Sequence, residues 1–350
     1  MRAGVCNGMQ IVTRARLTTL LAAVLGAAAF VALSLPLPLL LGPMLGCLIF
    51  ALAGAGLQGM GTLGTLMRTF LGVAIGASIT PEFVQDLPKY GPTLALIPAF
   101  IVTIGAVGYL FFRRIMGFDH ATSFYSAMPG GLQDMLVFGE EAGGDVRAMS
   151  LIHATRVLVI VSAAPFILTL FYDLDLTAAP GVHASELPLS QLIILCIAAV
   201  AGWKLAERVG LFGASILGPM FLTAALSLTG IVQVRPPAEM IWAAQFFIGL
   251  SVGANYSGIT GRELRVDVGA GLAYSFMLAI LSVAIIELVV LISPADNLDL
   301  ILSFLPGGQA EMVIIALVAG ADIAFVVAHH LLRVVLVIML APVFARWLDR

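Results

Sequence analysis

Long apolar runs separated by short polar stretches follow one another along the whole chain. Most approach the roughly 20 residues that a helix needs to span a membrane. None alternates apolar and polar residues with a period of two, so the pattern favours helices over a membrane β-barrel. The predicted segments are 17–35, 38–54, 66–80, 91–112, 121–139, 147–172, 187–203, 211–229, 238–257, 268–292, 300–319 and 323–345.

The segments form two series that repeat each other at a nearly constant spacing. The motifs that recur are LGPM at 41–44 and 217–220, GxxxGA at 72–77 and 249–254, and PGG at 129–131 and 306–308. We call positions related by this spacing equivalent. Without a gap, 12 of the 37 positions from 129 to 165 are identical to their equivalents from 306 to 342, where chance gives about two or three. The chain is therefore predicted to be an internal duplication.

Charge is scarce, because only 11% of the residues are Asp, Glu, Lys or Arg, against about 25% in an average soluble protein. A soluble fold of 350 residues would need more charge to cover its surface. The net charge of −3 and the lack of any basic run exclude a nucleic-acid partner. A polytopic membrane protein remains, with the lipid bilayer as its first partner.

The basic residues predict how the two repeats are oriented, because cytoplasmic loops carry excess Lys and Arg. If each PGG segment enters and leaves by the same side, the predicted inner loops hold 12 basic residues and the outer loops only Lys89 and Arg235. If all the segments cross, the division is 9 to 5. The first arrangement gives five crossings per repeat, so the repeats are inverted, as in many secondary transporters.

The predicted fold is therefore an all-α polytopic membrane protein, with two inverted repeats of about five transmembrane helices. Each repeat contains one broken or re-entrant helix with PGG at its tip. Residues 1–16 form a cytoplasmic N-terminal segment, 17–172 the first repeat and 173–186 an external linker. Residues 187–345 form the second repeat and 346–350 a cytoplasmic tail.

The PGG motifs cannot lie inside ordinary helix. Proline removes a backbone donor and clashes with the preceding turn, and glycines favour left-handed backbone angles. The freed backbone groups survive in a membrane only when buried in protein or lining a wet cavity. We therefore predict descending half-helices at Ala121–Met128 and Ile301–Leu305, and returning half-helices at Leu132–Phe138 and Gln309–Leu317.

The beginning of each returning half-helix is a candidate binding site. Its free N–H groups and positive dipole suit an anion. Gln133, Asp134, Gln309 and Glu311 lie in these first turns, where they coordinate a solute or cation, or simply cap the helix. The predicted site also includes the tip residues Pro129, Gly130, Gly131, Pro306, Gly307 and Gly308.

Further ionisable residues lie in the apolar segment that follows each PGG hairpin, and charges at such depth are functional candidates. The two copies contribute Asp145, His153, Arg156, Asp322, His330 and Arg333. The arginines can hold a carboxylate or pair with backbone carbonyls. The aspartates, with the two acids at the tips, can carry a proton or Na⁺. Alternatively, the aspartates cap helix starts after glycine-rich turns.

Taken together, these motifs resemble the AbrB-type bacterial membrane proteins over residues 17–345. The resemblance rests on LGPMLG, GVAIGA, SAMPGGLQDM and GGDVRAM, repeated as LGPM, IGLSVGA, FLPGGQAEM and AGADIAF. It implies an internally duplicated inner-membrane protein, and members carry labels such as ammonia monooxygenase or regulator of gene expression. Where members have Ser-Glu-Met after the first PGG, this chain has Gln-Asp-Met at 133–135.

The residues favour transport of a small solute, and a small organic anion coupled to H⁺ or Na⁺ suits the arginines. The alternative is a membrane sensor that affects gene expression indirectly. A monooxygenase would need several His and carboxylate ligands around a metal, and the five histidines show no such spacing. We expect no enzyme activity, cofactor or metal, and a homodimer is compatible with the sequence.

Overall fold

The structure is a computed structural model that describes residues 13–172, 174, 176–177, 180–211, 213–291, 293 and 295–348. Most of the predicted N-terminal segment (1–12) and the end of the predicted tail (349–350) lie outside these residues. The described part of the chain is helical without strands, which confirms the predicted all-α class.

The helices follow the chain in two halves. The first half contains α1 (Arg14–Ala32), α2 (Pro38–Leu52), α3 (Thr62–Ala77), α4 (Pro88–Ile115), α5 (His120–Ala127), α6 (Leu132–Glu141) and α7 (Val146–Tyr172). The second half contains α8 (Leu189–Arg208), α9 (Ala214–Leu228), α10 (Ala238–Ala254), α11 (Gly261–Val290), α12 (Asn297–Phe304), α13 (Gln309–Ala319) and α14 (Ile323–Leu348).

Helix length divides these elements into two groups. Among the described residues, six helices are long and apolar enough to cross a membrane: α1, α4, α7, α8, α11 and α14. Helices α2, α3, α9 and α10 have only 15 to 17 residues, fewer than the roughly 20 that a perpendicular crossing requires. The six long helices are compatible with a multi-pass membrane protein, and the number of crossings stays a prediction.

Both PGG segments are broken where the sequence predicts a break. The first descending half-helix, α5, ends one residue earlier than expected, at Ala127. The second, α12, begins at Asn297 rather than Ile301, because the Asp296 carboxylate accepts a hydrogen bond from the Leu298 N–H and caps an earlier start. The predicted boundary rested on apolar residues alone and so placed this start too late.

Close helix crossings repeat within each half. In the first half, a Cβ added to Gly26 or Gly42 would collide with backbone, because α1 and α2 touch at these glycines. In the second half, α8 and α9 touch in the same way at Gly202 and Gly218, the equivalents of the first pair. Small residues at such crossings let helices approach closely in a membrane.

The two halves also pack on each other reciprocally. Helix α3 packs on α9, where Gly72 meets the backbone of Ile216. Helix α10 packs on α2, where Gly249 meets the backbone of Leu40. Gly249 is the equivalent of Gly72, and Ile216 is the equivalent of Leu40. Each half therefore contributes one glycine-containing helix, α3 or α10, that packs on a helix of the other half.

The linker contacts the second half through a polar pair at the surface. The His183 Nδ1 lies 3.0 Å from Glu239 Oε1, and the Ala184 N–H donates to the other Glu239 oxygen at 3.0 Å. The Glu239 carboxylate raises the pKa of His183 above its ordinary value. The pair therefore stabilises the fold fully below the ordinary histidine pKa, and this contribution is lost as the pH rises through the raised pKa.

Trp242 offers a direct readout of this titration, because its ring centroid lies 6.1 Å from that of His183. In a W203F/W347F background, which leaves Trp242 as the sole tryptophan, we expect fluorescence to change with a midpoint above pH 6.5. The E239Q substitution should return the midpoint towards 6.5. An unchanged midpoint in E239Q would show that Glu239 does not set the titration.

Candidate functional site

Each PGG tip is a short extended stretch between two half-helices. In the first, Met128 has φ −70° and ψ 134°, and Gly131 has φ −64° and ψ 136°. The equivalent Leu305 and Gly308 of the second tip are also extended. The expectation that the tip glycines adopt left-handed angles is therefore wrong, since none of them has a positive φ.

The tip glycines are needed for space instead. A side chain on Gly130 would meet Met135 and Val337, and one on Gly307 would meet Met312 and Ile160. Val337 belongs to the second half, and Ile160 is its equivalent in the first. The first glycine of each tip therefore packs on the long helix of the opposite half. The structure brings both predicted tips to the α7 and α14 helices.

Arg156 and His153 of α7 bind the first tip through its backbone. The Arg156 Nη1 donates to the Met128 carbonyl at 3.1 Å, and the His153 Nε2 donates to the Tyr125 carbonyl at 3.0 Å. These are carbonyls at the C-terminal end of α5, where an interrupted helix leaves acceptors unpaired. Arg156 is 3% exposed and His153 is completely buried.

Arg333 and His330 of α14 repeat this arrangement at the second tip. The Arg333 guanidinium donates to the Leu305 and Gly307 carbonyls at 3.4 and 3.3 Å. The His330 Nε2 donates to the Leu302 carbonyl at 2.8 Å. Leu305 and Leu302 are the equivalents of Met128 and Tyr125, so each arginine and each histidine bonds to an equivalent carbonyl.

The two halves differ in one hydrogen bond. The Arg333 Nη2 lies 2.9 Å from His330 Nδ1, which must accept because Nε2 donates to a carbonyl. In the first half, Arg156 makes no such bond to His153, whose buried Nδ1 has no partner within the part of the chain that the structure describes. The second arginine is therefore held by three hydrogen bonds and the first by one.

The acids in the first turn of the returning half-helices fold back on those helices. A side chain on Gly131 would collide with the Asp134 carboxylate, and one on Gly308 with the Glu311 carboxylate. Both carboxylates therefore lie beside the tip glycine that precedes their own helix.

Asp145 and Asp322 cap the helices that they precede. Asp145 Oδ1 accepts from the N–H groups of Arg147 and Ala148 at 3.0 Å, and Asp322 Oδ1 accepts equivalently two and three residues onward. The Tyr90 hydroxyl also donates to Asp322 at 2.6 Å. The geometry matches the capping alternative for both aspartates, while Arg156 and Arg333 bind the tips three helical turns away.

The buried arginines leave donors unused. Among the residues that the structure describes, the Nε atoms of Arg156 and Arg333 are buried without partners. Among the described residues, no carboxylate oxygen lies within 4.0 Å of either guanidinium. Burying a charge is costly unless it is paired, so this excess of positive charge suits an anion.

Other unpaired polar groups surround the same tips. Ser126 Oγ, Ser303 Oγ and Gln309 Nε2 are buried and have no hydrogen-bond partner among the described residues. The Gln133 side chain lies outside the described residues. Most of these groups can donate a hydrogen bond, and this donor-rich composition is the chemical complement of carboxylate or other oxyanion groups.

Two kinds of residue at the tips escaped prediction from the sequence. Ser126 and Ser303 are identical residues at equivalent positions, so the repeat itself contained a usable signal. Tyr274 of α11 is buried and donates to the Ala127 carbonyl at 2.7 Å. No pattern marks it, because it lies in an apolar run and its equivalent position in the first half is Ile97.

Comparison with known proteins gives a consistent match over nearly the whole chain. A family profile described as "Transition state regulatory protein AbrB" matches residues 39–349. The Escherichia coli protein named "Putative regulator AbrB" is 26% identical over 325 residues, which cover 91% of this chain and 92% of that protein. The Bacillus subtilis "Uncharacterized protein YhjN" is 26% identical over 302 residues, covering 81% and 78%. No solved structure matches significantly.

Proposed function

The chain belongs to the AbrB family of membrane proteins, and each tip is bound by a buried arginine that has no carboxylate partner among the described residues. We propose that it is a secondary transporter of a small organic anion. The observation that carries the proposal is the buried pair Arg156 and Arg333, which has no carboxylate partner among the described residues. A bound carboxylate would accept hydrogen bonds from the free Nε–H groups and neutralise buried positive charge.

The arrangement of the two tips supports alternating access. Each tip contacts the long helix of the opposite half, at Val337 and Ile160. Secondary transporters with inverted repeats place their sites at such broken helices and move one bundle against another. We assign coupling to H⁺ or Na⁺, and imposing each gradient separately will distinguish the two. The chain moves a solute and has no chemical step to catalyse.

Uptake into proteoliposomes tests the proposal. The purified full chain is reconstituted and offered labelled mono- and dicarboxylates and amino acids, with a pH or Na⁺ gradient imposed in turn. We expect saturable uptake of at least one anion above that of protein-free liposomes, driven by one gradient. Uptake of none of the anions, together with no binding of any, would overturn the proposal.

The names of the family profile and the Escherichia coli relative favour a second candidate, a membrane regulator. A regulator of this architecture would sense a metabolite and act on gene expression indirectly, because the sequence contains no basic run for DNA. Saturable binding of an anion without any flux, in the same preparation, would favour this candidate over transport.

The inverted topology on which alternating access depends has its own test. In a background without Cys6, Cys47 and Cys196, we expect Arg114→Cys and Gly181→Cys to react with membrane-impermeant maleimide from opposite sides. Arg208→Cys calibrates the assay, since only α8 separates it from Gly181 and the two must label oppositely. Labelling of 114 and 181 from the same side would mean that the PGG segments cross and the repeats are parallel.

A further inference from the structure

An open apolar groove runs between α4, α5 and α14, on the outside of the helix bundle. Its volume is about 610 Å³. Phe124, Met128 and Val337 form a buried floor, whereas Val102 and Trp347 in its walls are 65% and 67% exposed. We call this surface the α4/α14 groove. The transport site does not include it, although Met128 belongs to both.

The length of the groove matches one leaflet of a bilayer. Its walls follow α4 from Pro98 to Leu110 and α14 from Leu336 to Leu348. Twelve helical steps of about 1.5 Å give a length of about 18 Å. Half of a hydrocarbon core of about 30 Å is about 15 Å. A single extended acyl chain therefore fits along the groove.

The residues at one end of the groove are typical of the membrane surface. Trp347 lies there, and tryptophan is enriched at the level of the lipid headgroups. Arg113 and Arg114 follow Leu110 by three and four residues, and both are exposed. Arg113 Nη1 donates to the Phe118 carbonyl at 2.9 Å, which holds its side chain beside this end. Two cations at the headgroup end complement an anionic headgroup.

We propose that the α4/α14 groove binds an anionic phospholipid, with one acyl chain in the groove and the phosphate at Arg113 and Arg114. A second copy of the chain fits less well. A two-fold axis along the membrane normal would bring like ends of the two grooves together, so the arginines of both copies would repel. An anionic lipid matches both parts of this surface, because its acyl chain fits the apolar groove and its phosphate fits the arginines at one end.

The lipid would lie against the first tip. Met128 and Val337 in the groove floor contact that tip, since Met128 supplies the carbonyl that binds Arg156 and Val337 packs on Gly130. An acyl chain in the groove packs on both residues and so restrains the first tip.

Native mass spectrometry of the purified full chain tests the proposal. The protein is exchanged into micelles containing equal phosphatidylglycerol and phosphatidylcholine. We expect phosphatidylglycerol adducts to be preferred by about five-fold per arginine. The R113Q/R114Q variant should lose this preference, and A106W, which fills the groove from an exposed wall position, should lose the adduct itself.

Matched controls separate these effects from general loss of charge or folding. R262Q/R265Q removes two exposed arginines that are predicted to lie on the same membrane side, and A28W adds a tryptophan to an exposed position of α1. Both should retain the wild-type preference. Equal retention of the two lipids, or full retention in A106W, overturns the proposal. Conversion of a dimer to a monomer by A106W, with lipid unchanged, would assign the groove to a second copy.

Discussion

Glutamine at either buried arginine will reduce anion uptake by roughly 10- to 100-fold, because a charge-assisted hydrogen bond contributes about 1.5–3 kcal/mol. The expected loss applies to both R156Q and R333Q, since the proposed function has both guanidiniums bind the anion. Initial uptake rates in proteoliposomes, measured over a range of anion concentrations and normalised to reconstituted protein, provide the measurement.

The two variants should differ in stability. Arg333 makes three hydrogen bonds and Arg156 makes one, so R333Q should lower the thermal unfolding temperature more than R156Q. R262Q, an exposed substitution, serves as the control for charge removal. A result in which R156Q loses stability but keeps full uptake would make Arg156 a structural cap of the first tip and contradict its role in binding.

Leucine at Gly249 will prevent α10 from packing on α2, and we expect little or no monodisperse protein. A Cβ at this position already collides with the Leu40 carbonyl group. Overpacking of a core costs about 1–3 kcal/mol when side chains can shift, and here the obstacle is backbone. Gly72→Leu should have the same effect, because Gly72 meets Ile216 equivalently. Fluorescence-detected size-exclusion chromatography measures the folded fraction.

Gly59→Leu is the matched control for these substitutions. No heavy atom lies within 4 Å of a Cβ added at Gly59, and its φ is not positive. The expected elution profile is that of the wild-type chain. Normal folding of Gly249→Leu would mean that α10 and α2 can separate without penalty, contrary to the close crossing.

The helices and their breaks are predictable from the sequence because the responsible forces are local or repetitive. Apolar length identifies α1, α7 and α14, and proline with two glycines marks each tip. The predicted start of α12 was four residues too late, because a single polar cap at Asp296 outweighs the apolar run that follows. The expectation of left-handed angles at the tips was wrong for a different reason. The tip glycines have extended backbone and lie close to neighbouring side chains.

The contacts of the site were less predictable. The repeat places Arg156 and Arg333 in equivalent positions, and it leaves open whether carbonyls or a solute hold them. The Met128 and Leu305 carbonyls that they bind lie 28 positions earlier in the chain. The period of a helix does not predict a contact over that separation. The role of Tyr274 arises only when helices from both halves meet, and this residue has no identical counterpart in the other half.

The reciprocal packing of the halves has a consequence for their origin. Gly72 contacts Ile216 while Gly249 contacts Leu40. In the same manner, Val337 of the second half packs on the first tip and Ile160 of the first half packs on the second tip. Such mutual contacts obey the rule of an isologous homodimer, in which one patch serves both partners. Two separate copies of an ancestral single repeat could have assembled in this way before gene fusion. Coexpressed fragments divided within the 173–186 linker should therefore find each other without a covalent connection.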